Sequence, residues 1–428
     1  MVAIRHYTEP LATKLQVVTR SRYSGDGRSL GASASVRISG FRRRSIAVGV
    51  CVAALASALA ACSDSGSKPS ASAPPPGVRS TAVSRYTTPL KGICPDTVVV
   101  QANWWPEASR GFVYQLLGPN PTIDKNKNRV IGQLGGTGVA LEIRAGGPAV
   151  GFQPVPSLLA QDDSILLGDV NTDEAIQGSG KVPTVAVFSA YEKNPQVLLW
   201  GNPDWNFTNV ADIGRAGAPV LVTAGTAYLD VFEREGLLNA SQTSTAYQGS
   251  PDRFVVADGK IVQQGFVTNE PYRLEHDVKA WSKPVKFLLL HDEYPVYQNA
   301  LAIRPDKLAA NRACLAKLVP LFQRAQRDYI TTPGPTNQLL LDVVSKLNTS
   351  GFGLSAGLLA ASNAKQKDLG LIANGSDGVL GSFDAPRVQK LIGRLVPVFE
   401  AKGAAPKSGL TSADLVTNEF LDKSISLK

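Results

Sequence analysis

From Thr97 to Ile303, short apolar runs rich in β-branched residues alternate with stretches of helical period. Thr97–Gln101 (TVVVQ) predicts a strand. Residues 107–117 predict a helix, because Phe112 and Leu116, and Val113 and Leu117, recur four residues apart. Further strands are predicted at 138–143, 164–168, 182–188, 196–200, 219–222, 261–267, 285–290 and 300–303, with a helix at 227–236. After Pro305 the strands stop, and the period predicts helices at 306–329, 336–347, 355–363 and 385–402. Strands alternating with helices imply an α/β fold with a largely parallel sheet. The helical C-terminal third cannot form a sheet of its own and is expected to pack back onto the first part of the fold.

The pattern ahead of Thr97 is different. Arg42, Arg43 and Arg44 precede an uncharged apolar run from Ile46 to Ala61, which ends Leu59-Ala60-Ala61-Cys62. A positive start, an apolar middle and small residues before a cut describe a secretory signal. The run falls short of the roughly 20 apolar residues that a membrane-spanning helix needs. Leu-Ala-Ala-Cys resembles a bacterial lipobox. That resemblance implies a diacylglyceryl group on the Cys62 thiol and cleavage that leaves Cys62 as the first mature residue. The alternative is a plain signal with a coincidental cysteine. Residues 63–77 are Ser, Pro, Ala, Gly and Lys with a single Asp, which is the composition of a disordered linker. Residues 1–35 fit no signal pattern, and Val36 is a candidate true initiator.

Charge then changes the picture. The whole chain carries a net charge of +9, but nine of its 44 Lys/Arg and two of its 35 Asp/Glu fall in residues 1–61. The rest holds 35 basic and 33 acidic residues, a net charge of only about +2. A nucleic-acid partner is therefore not expected, since such proteins keep a basic patch in their folded part. Of four cysteines, Cys51 lies in the signal and Cys62 at the cut. The remaining pair, Cys94 and Cys314, suggests one long-range disulfide in an exported protein. Two buried free thiols are the alternative.

Several segments, in order, resemble the ABC-importer solute-binding proteins of the nitrate, sulfonate, taurine and thiamine-pyrimidine-precursor family. They are VVVQANWWPEASRGFVYQLLG from Val98, NPQVLLWGNPDWNFTNVADIG from Asn194, PVLVTAGTAYLDVFEREGL from Pro219, VVADGKIVQQGFVTNEPY from Val255, YPVYQNALAIRPDKL from Tyr294, and TNEFLD from Thr417. The stretch 145–159 departs from the family pattern, so contacts from the first lobe are open. The resemblance implies a two-lobed α/β type II periplasmic-binding-protein fold with a hinge, the helical C-terminal segment packing on the first lobe. The expected organisation is 1–61 as N-terminal extension and signal, 62–90 as disordered tether, 91–190 with 295–428 as lobe one, and 191–294 as lobe two.

Candidate ligand contacts follow. Trp104 and Trp105 come just after the first strand, where ligands bind beyond the carboxyl ends of parallel strands. A Trp face can stack a ring or a cation, and either Trp can equally be core. Glu107 starts the next helix. Gly146 and Gly147 form a turn that lacks the Lys-Ser/Thr of a phosphate loop. Thr223, Gly225 and Thr226 join a strand to a helix start, which suits an anion or ordinary capping. Asn269 and Glu270 follow the 261–267 strand, and Glu270 is as well read as a structural ion pair. Tyr297 flanks the second hinge crossing and can close over a ring or pack.

Only three histidines are present, and no HExxH, Cys/His cluster or GxSxG occurs. No catalytic residue, metal or cofactor is therefore expected. A related pyrimidine-precursor synthase needs a Cys-rich motif that this chain lacks. The resemblance implies a monomeric solute receptor, lipid-anchored on the extracytoplasmic face, that hands a small heterocycle or a sulfonate-type anion to an ABC permease. A solute sensor or a surface lipoprotein without a transport role is the alternative.

Overall fold

Consecutive valines, stiff at χ1, favour extended backbone, and Thr97–Gln101 forms strand β1 with Val98, Val99 and Val100 all buried. A strand buried on both faces belongs in a sheet covered on both sides. The computed structural model, which describes residues 81–349 and 352–428, puts it there. The chain continues through β2 (Thr122–Asp124), β3 (Arg129–Gln133), β4 (Ala140–Arg144), β5 (Leu167–Val170) and β6 (Val185–Phe188). It then leaves to build β7 (Gln196–Trp200), β8 (Val220–Leu221), β9 (Thr243–Ser244), β10 (Val262–Phe266) and β11 (Lys286–Leu289), and returns as β12 (Ala300–Ile303).

Two sheets result. The first has the order β2-β3-β4-β1-β5-β12-β6 and the second β11-β7-β10-β8-β9. In the first, β1 runs parallel to β4 and β5, while β12 is antiparallel to β5 and β6. In the second, β8 runs parallel to β9 and β10, and β7 is antiparallel to β10 and β11. This is the two-lobed α/β arrangement expected from the sequence, but the sheets are mixed rather than largely parallel, because β3 joins both its neighbours β2 and β4 antiparallel and β7 and β12 also enter antiparallel. The chain crosses between lobes twice, before β7 and before β12. The crossings are tied together: Asn194 Nδ2 donates to Tyr294 O at 2.9 Å, and Asn194 N donates to His291 Nδ1 at 3.1 Å.

The C-terminal helices cover lobe one, and two of them also reach lobe two. Helix Arg312–Thr331 packs on helix Gly111–Gln115. Helix Ala385–Ala401 lies against Thr172–Gly178 of lobe one and Ala227–Arg234 of lobe two. Its Arg387 donates to the carbonyls of Glu192, Pro295 and Val296, and its Arg394 pairs with Glu235 at 2.8 Å. Cys94 and Cys314 form a disulfide.

Three further expectations are corrected. The 62–90 tether ends early: Thr81–Arg85 is helical, and Tyr86 and Leu90 are buried in the lobe-one core, because both side chains are too apolar to stay in water. The predicted signal segment and Cys62 lie outside the described residues. The hairpin β2–β3 was not predicted. The helix predicted over 107–117 is a 3-10 turn, Ala108–Arg110, followed by the short Gly111–Gln115. The helix predicted over 306–329 is two, Pro305–Ala310 and Arg312–Thr331, broken at Asn311.

Candidate functional site

Parallel strands present their carboxyl ends on one edge of a sheet, and ligands of open α/β sheets bind beyond that edge. In lobe one the segment after β1 carries Asn103, Trp104 and Glu107, and the segment after β4 carries Gly146 and Gly147. In lobe two β8 leads into Thr223, Gly225 and Thr226, and β10 into Thr268 and Asn269. The two edges meet at a small recess, where Glu107 and Ser109 face Thr268 and Asn269.

Beneath the lobe-one side lies a buried charge network. Arg110, 3% exposed, donates through Nε to Asp169 at 2.7 Å and through Nη1 to Glu107 at 2.8 Å. Its Nη2 donates to Asn103, whose Nδ2 donates to Asn299 Oδ1 at 2.8 Å. Ser109 Oγ donates to the same Glu107 oxygen at 2.6 Å. Burial alone would lower the Arg110 pKa, but Asp169 and Glu107 hold it above its ordinary value. The guanidinium therefore stays charged. One cation faces two carboxylates, and Glu107 brings one of them to the recess. Pairing over a sequence separation of 59 residues is invisible to local pattern, so sequence reasoning did not find Arg110, Asp169 or Asn299.

The predicted contacts are distributed as follows. Glu107 and Asn269 share the recess. Asn269 Oδ1 is buried with no hydrogen-bond partner. Trp104 is half-buried and lies 6.1 Å from the ring of Phe152. Its face is pressed on Gly147, which has φ +56° and where a Cβ would collide with the indole. Gly146 donates its N–H to Trp104 O at 3.0 Å. Trp105 is 2% exposed and is a packing residue. Thr223 and Gly225 are exposed at the lobe-two edge, but the Thr223 N–H already donates to Gln264 Oε1 at 2.8 Å. Thr226 Oγ1 donates to Thr223 O at 2.6 Å.

Tyr297 is corrected to a structural residue. It is fully buried, its hydroxyl accepts the Asp384 N–H at 2.8 Å, and the Arg387 guanidinium covers its ring at 3.8 Å. Its amphipathic side chain has found partners at both ends within the protein, leaving no face for a ligand.

Glu270 sits beside Asn269 and accepts the Phe266 N–H at 2.6 Å. Burial pushes its carboxyl up to about 7. Folded Glu270 therefore holds its proton more tightly than unfolded Glu270. Its stabilising contribution is fully present below about pH 4.5 and is lost as pH rises through about 7. Glu270→Gln keeps an acceptor for Phe266 and removes this slope. Relative to the parent chain, the variant is expected to gain about 1–2 kcal/mol at pH 8 and little at pH 4.5. Urea unfolding at both pH values checks this; an equal effect at the two would contradict it.

No protein-family model matches the chain, and no curated protein matches it. Among solved structures it is similar to the periplasmic aliphatic sulphonate binding protein SsuA from Escherichia coli, with 14% identity over 73% of this chain and 90% of that one, TM-score 0.48. It is similar to the alkanesulfonate-binding protein SsuA from Xanthomonas axonopodis pv. citri bound to MOPS, with 11% identity over 76% and 99%, TM-score 0.47. The periplasmic nitrate-binding protein NrtA from Synechocystis PCC 6803 is similar at 12% identity over 76% and 87%, TM-score 0.46.

Proposed function

We propose that this chain is the solute-binding component of an ABC importer, held by a lipid on Cys62 at the extracytoplasmic face of the membrane, where it acts as a monomer. The observation that carries the reading is the meeting of two strand-end edges, one per lobe, across the recess between Glu107 and Asn269. A ligand that bridges the edges stabilises the closed arrangement by its differential affinity for it. The closed chain then docks on the permease. Both ligand classes keep a partner: the Glu107 carboxylate suits a heterocycle with N–H groups, and the helix start after Thr223 suits an anion.

The test is a thermal-shift screen of the exported chain against thiamine and its pyrimidine precursors, riboflavin, taurine, alkanesulfonates, nitrate and bicarbonate. A ligand at one hundred times its Kd adds about 2.7 kcal/mol. A hit confirms a solute receptor; a flat panel moves the weight to a surface role without transport. For the anchor, Cys62→Ala is expected to shift the protein from the detergent phase to the aqueous phase. Unchanged partitioning would remove the lipid.

A further inference from the structure

Helix Ala356–Asp368 and the segment before it touch both lobes, but in different ways. On the lobe-one side the helix packs against Arg312–Thr331, Gly334–Lys346 and the Ala108–Arg110 turn. There Leu359 is fully buried, and Asn363 Oδ1 accepts from Asn337 Nδ2 at 2.7 Å. That side is core packing. Toward lobe two the same segment meets a row of separate groups. Arg273 donates to Gly353 O, and its guanidinium lies 5.5 Å from the Phe352 ring centre. The Tyr272 hydroxyl rests on Gly357, where any Cβ would strike it. Ser362 Oγ donates to Thr268 O. Lys365 Nζ lies 5.9 Å from the Phe287 ring centre.

We infer that residues 352–365 form a latch between the lobes. Anchored on lobe one, the latch grips lobe two at Thr268, Tyr272, Arg273 and Phe287, and it sets the angle between the lobes until these contacts yield. The inference rests on the hinged reading above and adds a restraint to it.

Placement is the first argument. The gripped residues lie beyond the end of β10 and on β11, and the gripping ones run along the helix and the segment ahead of it. A stiff helix cannot follow a rotating lobe at several separated points, so rotation has to break some of the contacts. Strength is the second. Each tie is one hydrogen bond or one cation over a ring, and such contacts contribute modestly once exchange with water is counted. A ligand that prefers another lobe angle can therefore release them through its differential affinity. The third argument is a built-in bias. Arg273 Nε is buried without a hydrogen-bond partner. A donor left in that state opposes the arrangement that buries it, and release of Arg273 from Phe352 and Gly353 lets water reach it. The contact is thus a fastening that opens, unlike the packed lobe-one side.

The experiment reads the lobe angle in the exported full chain. Spin labels on Phe152→Cys and Ala224→Cys, both at exposed positions and one on each lobe, report the distance between the strand-end edges. The parent is expected to give one narrow distribution. Ser362→Ala with Arg273→Ala should broaden it and lengthen its mean. Gly357→Ala pushes a methyl group against Tyr272 and keeps every polar tie, so it should shift the mean. Adding Tyr272→Ala should return the mean toward that of the parent, a rescue that a misfolded chain would not show. A parent distribution as broad as that of the Ser362→Ala, Arg273→Ala chain would overturn the latch. Unchanged distances in that chain and in Gly357→Ala would overturn it as well. Ligand capture is tested separately by the thermal-shift panel, so a failed latch leaves the solute-binding reading standing.

Discussion

Arg110→Ala is expected to destabilise the folded chain by about 3–5 kcal/mol, because it leaves Asp169 buried without its counter-charge. Asp169 is 1% exposed, and burial already pushes its carboxyl up, with Arg110 opposing that shift. Removing the guanidinium also strands Asn103 and frees Glu107 from its geometry. The loss should fall with pH, since a protonated Asp169 needs no cation. The double variant Arg110→Met, Asp169→Leu should recover most of the stability, because a shape-filling apolar pair replaces a buried ion pair at little cost. It should not recover ligand affinity, because Glu107 would still lack Arg110. Denaturant unfolding of the three variants at pH 5 and pH 8 checks the set. A single-variant loss below about 1 kcal/mol would mean that water reaches Asp169 and that the network is not closed.

The second large effect concerns the disulfide. Cys94 and Cys314 are 220 residues apart, so the bridge closes most of the folded chain into one loop. The chain-entropy account puts the stabilisation from so long a loop at about 4–5 kcal/mol, and measured losses for native bridges run about 2–5 kcal/mol. Cys94→Ala with Cys314→Ala should therefore lower the unfolding free energy by about 2–5 kcal/mol. Reduction of the parent chain should do the same, and reductant should have no effect on the double variant. Cys94 stands just ahead of β1, and Cys314 lies in helix Arg312–Thr331, so the loss should appear first as loosening of that helix from lobe one. Hydrogen exchange along 312–331 reads this directly. Equal stability with and without the bridge would show that packing alone holds the helix.

Much of the fold was legible in local pattern. The runs TVVVQ, QVLLW and ALAI are buried almost throughout, and a continuous apolar run of that length leaves little choice but an interior strand. The β2–β3 hairpin was not legible, because its strands are short and partly exposed and its turn, Lys125 to Asn128, reads as a polar loop. Asn311 breaks the long C-terminal helix without a proline or glycine to announce it. For the site, the sequence pointed to Glu107 and Asn269 because each follows a strand end. It could not separate Trp104 from Trp105, or find that Tyr297 is satisfied from inside, since both depend on side chains distant in sequence. Arg110 was invisible for the same reason. A charged residue at a helix start reads as solvent-facing until its partners arrive from β5 and from the segment just before β12.

The helix Ala385–Ala401 has a mechanical meaning. Arg387 holds the carbonyls of both crossing strands, Arg394 and Lys402 grip Glu235 and Asp230 of lobe two, and the same helix rests on Thr172–Gly178 of lobe one. Like the spine of a book, it lets the covers swing but resists their twisting or sliding past one another. Displacement should therefore be smallest near Arg387 and grow with distance from it.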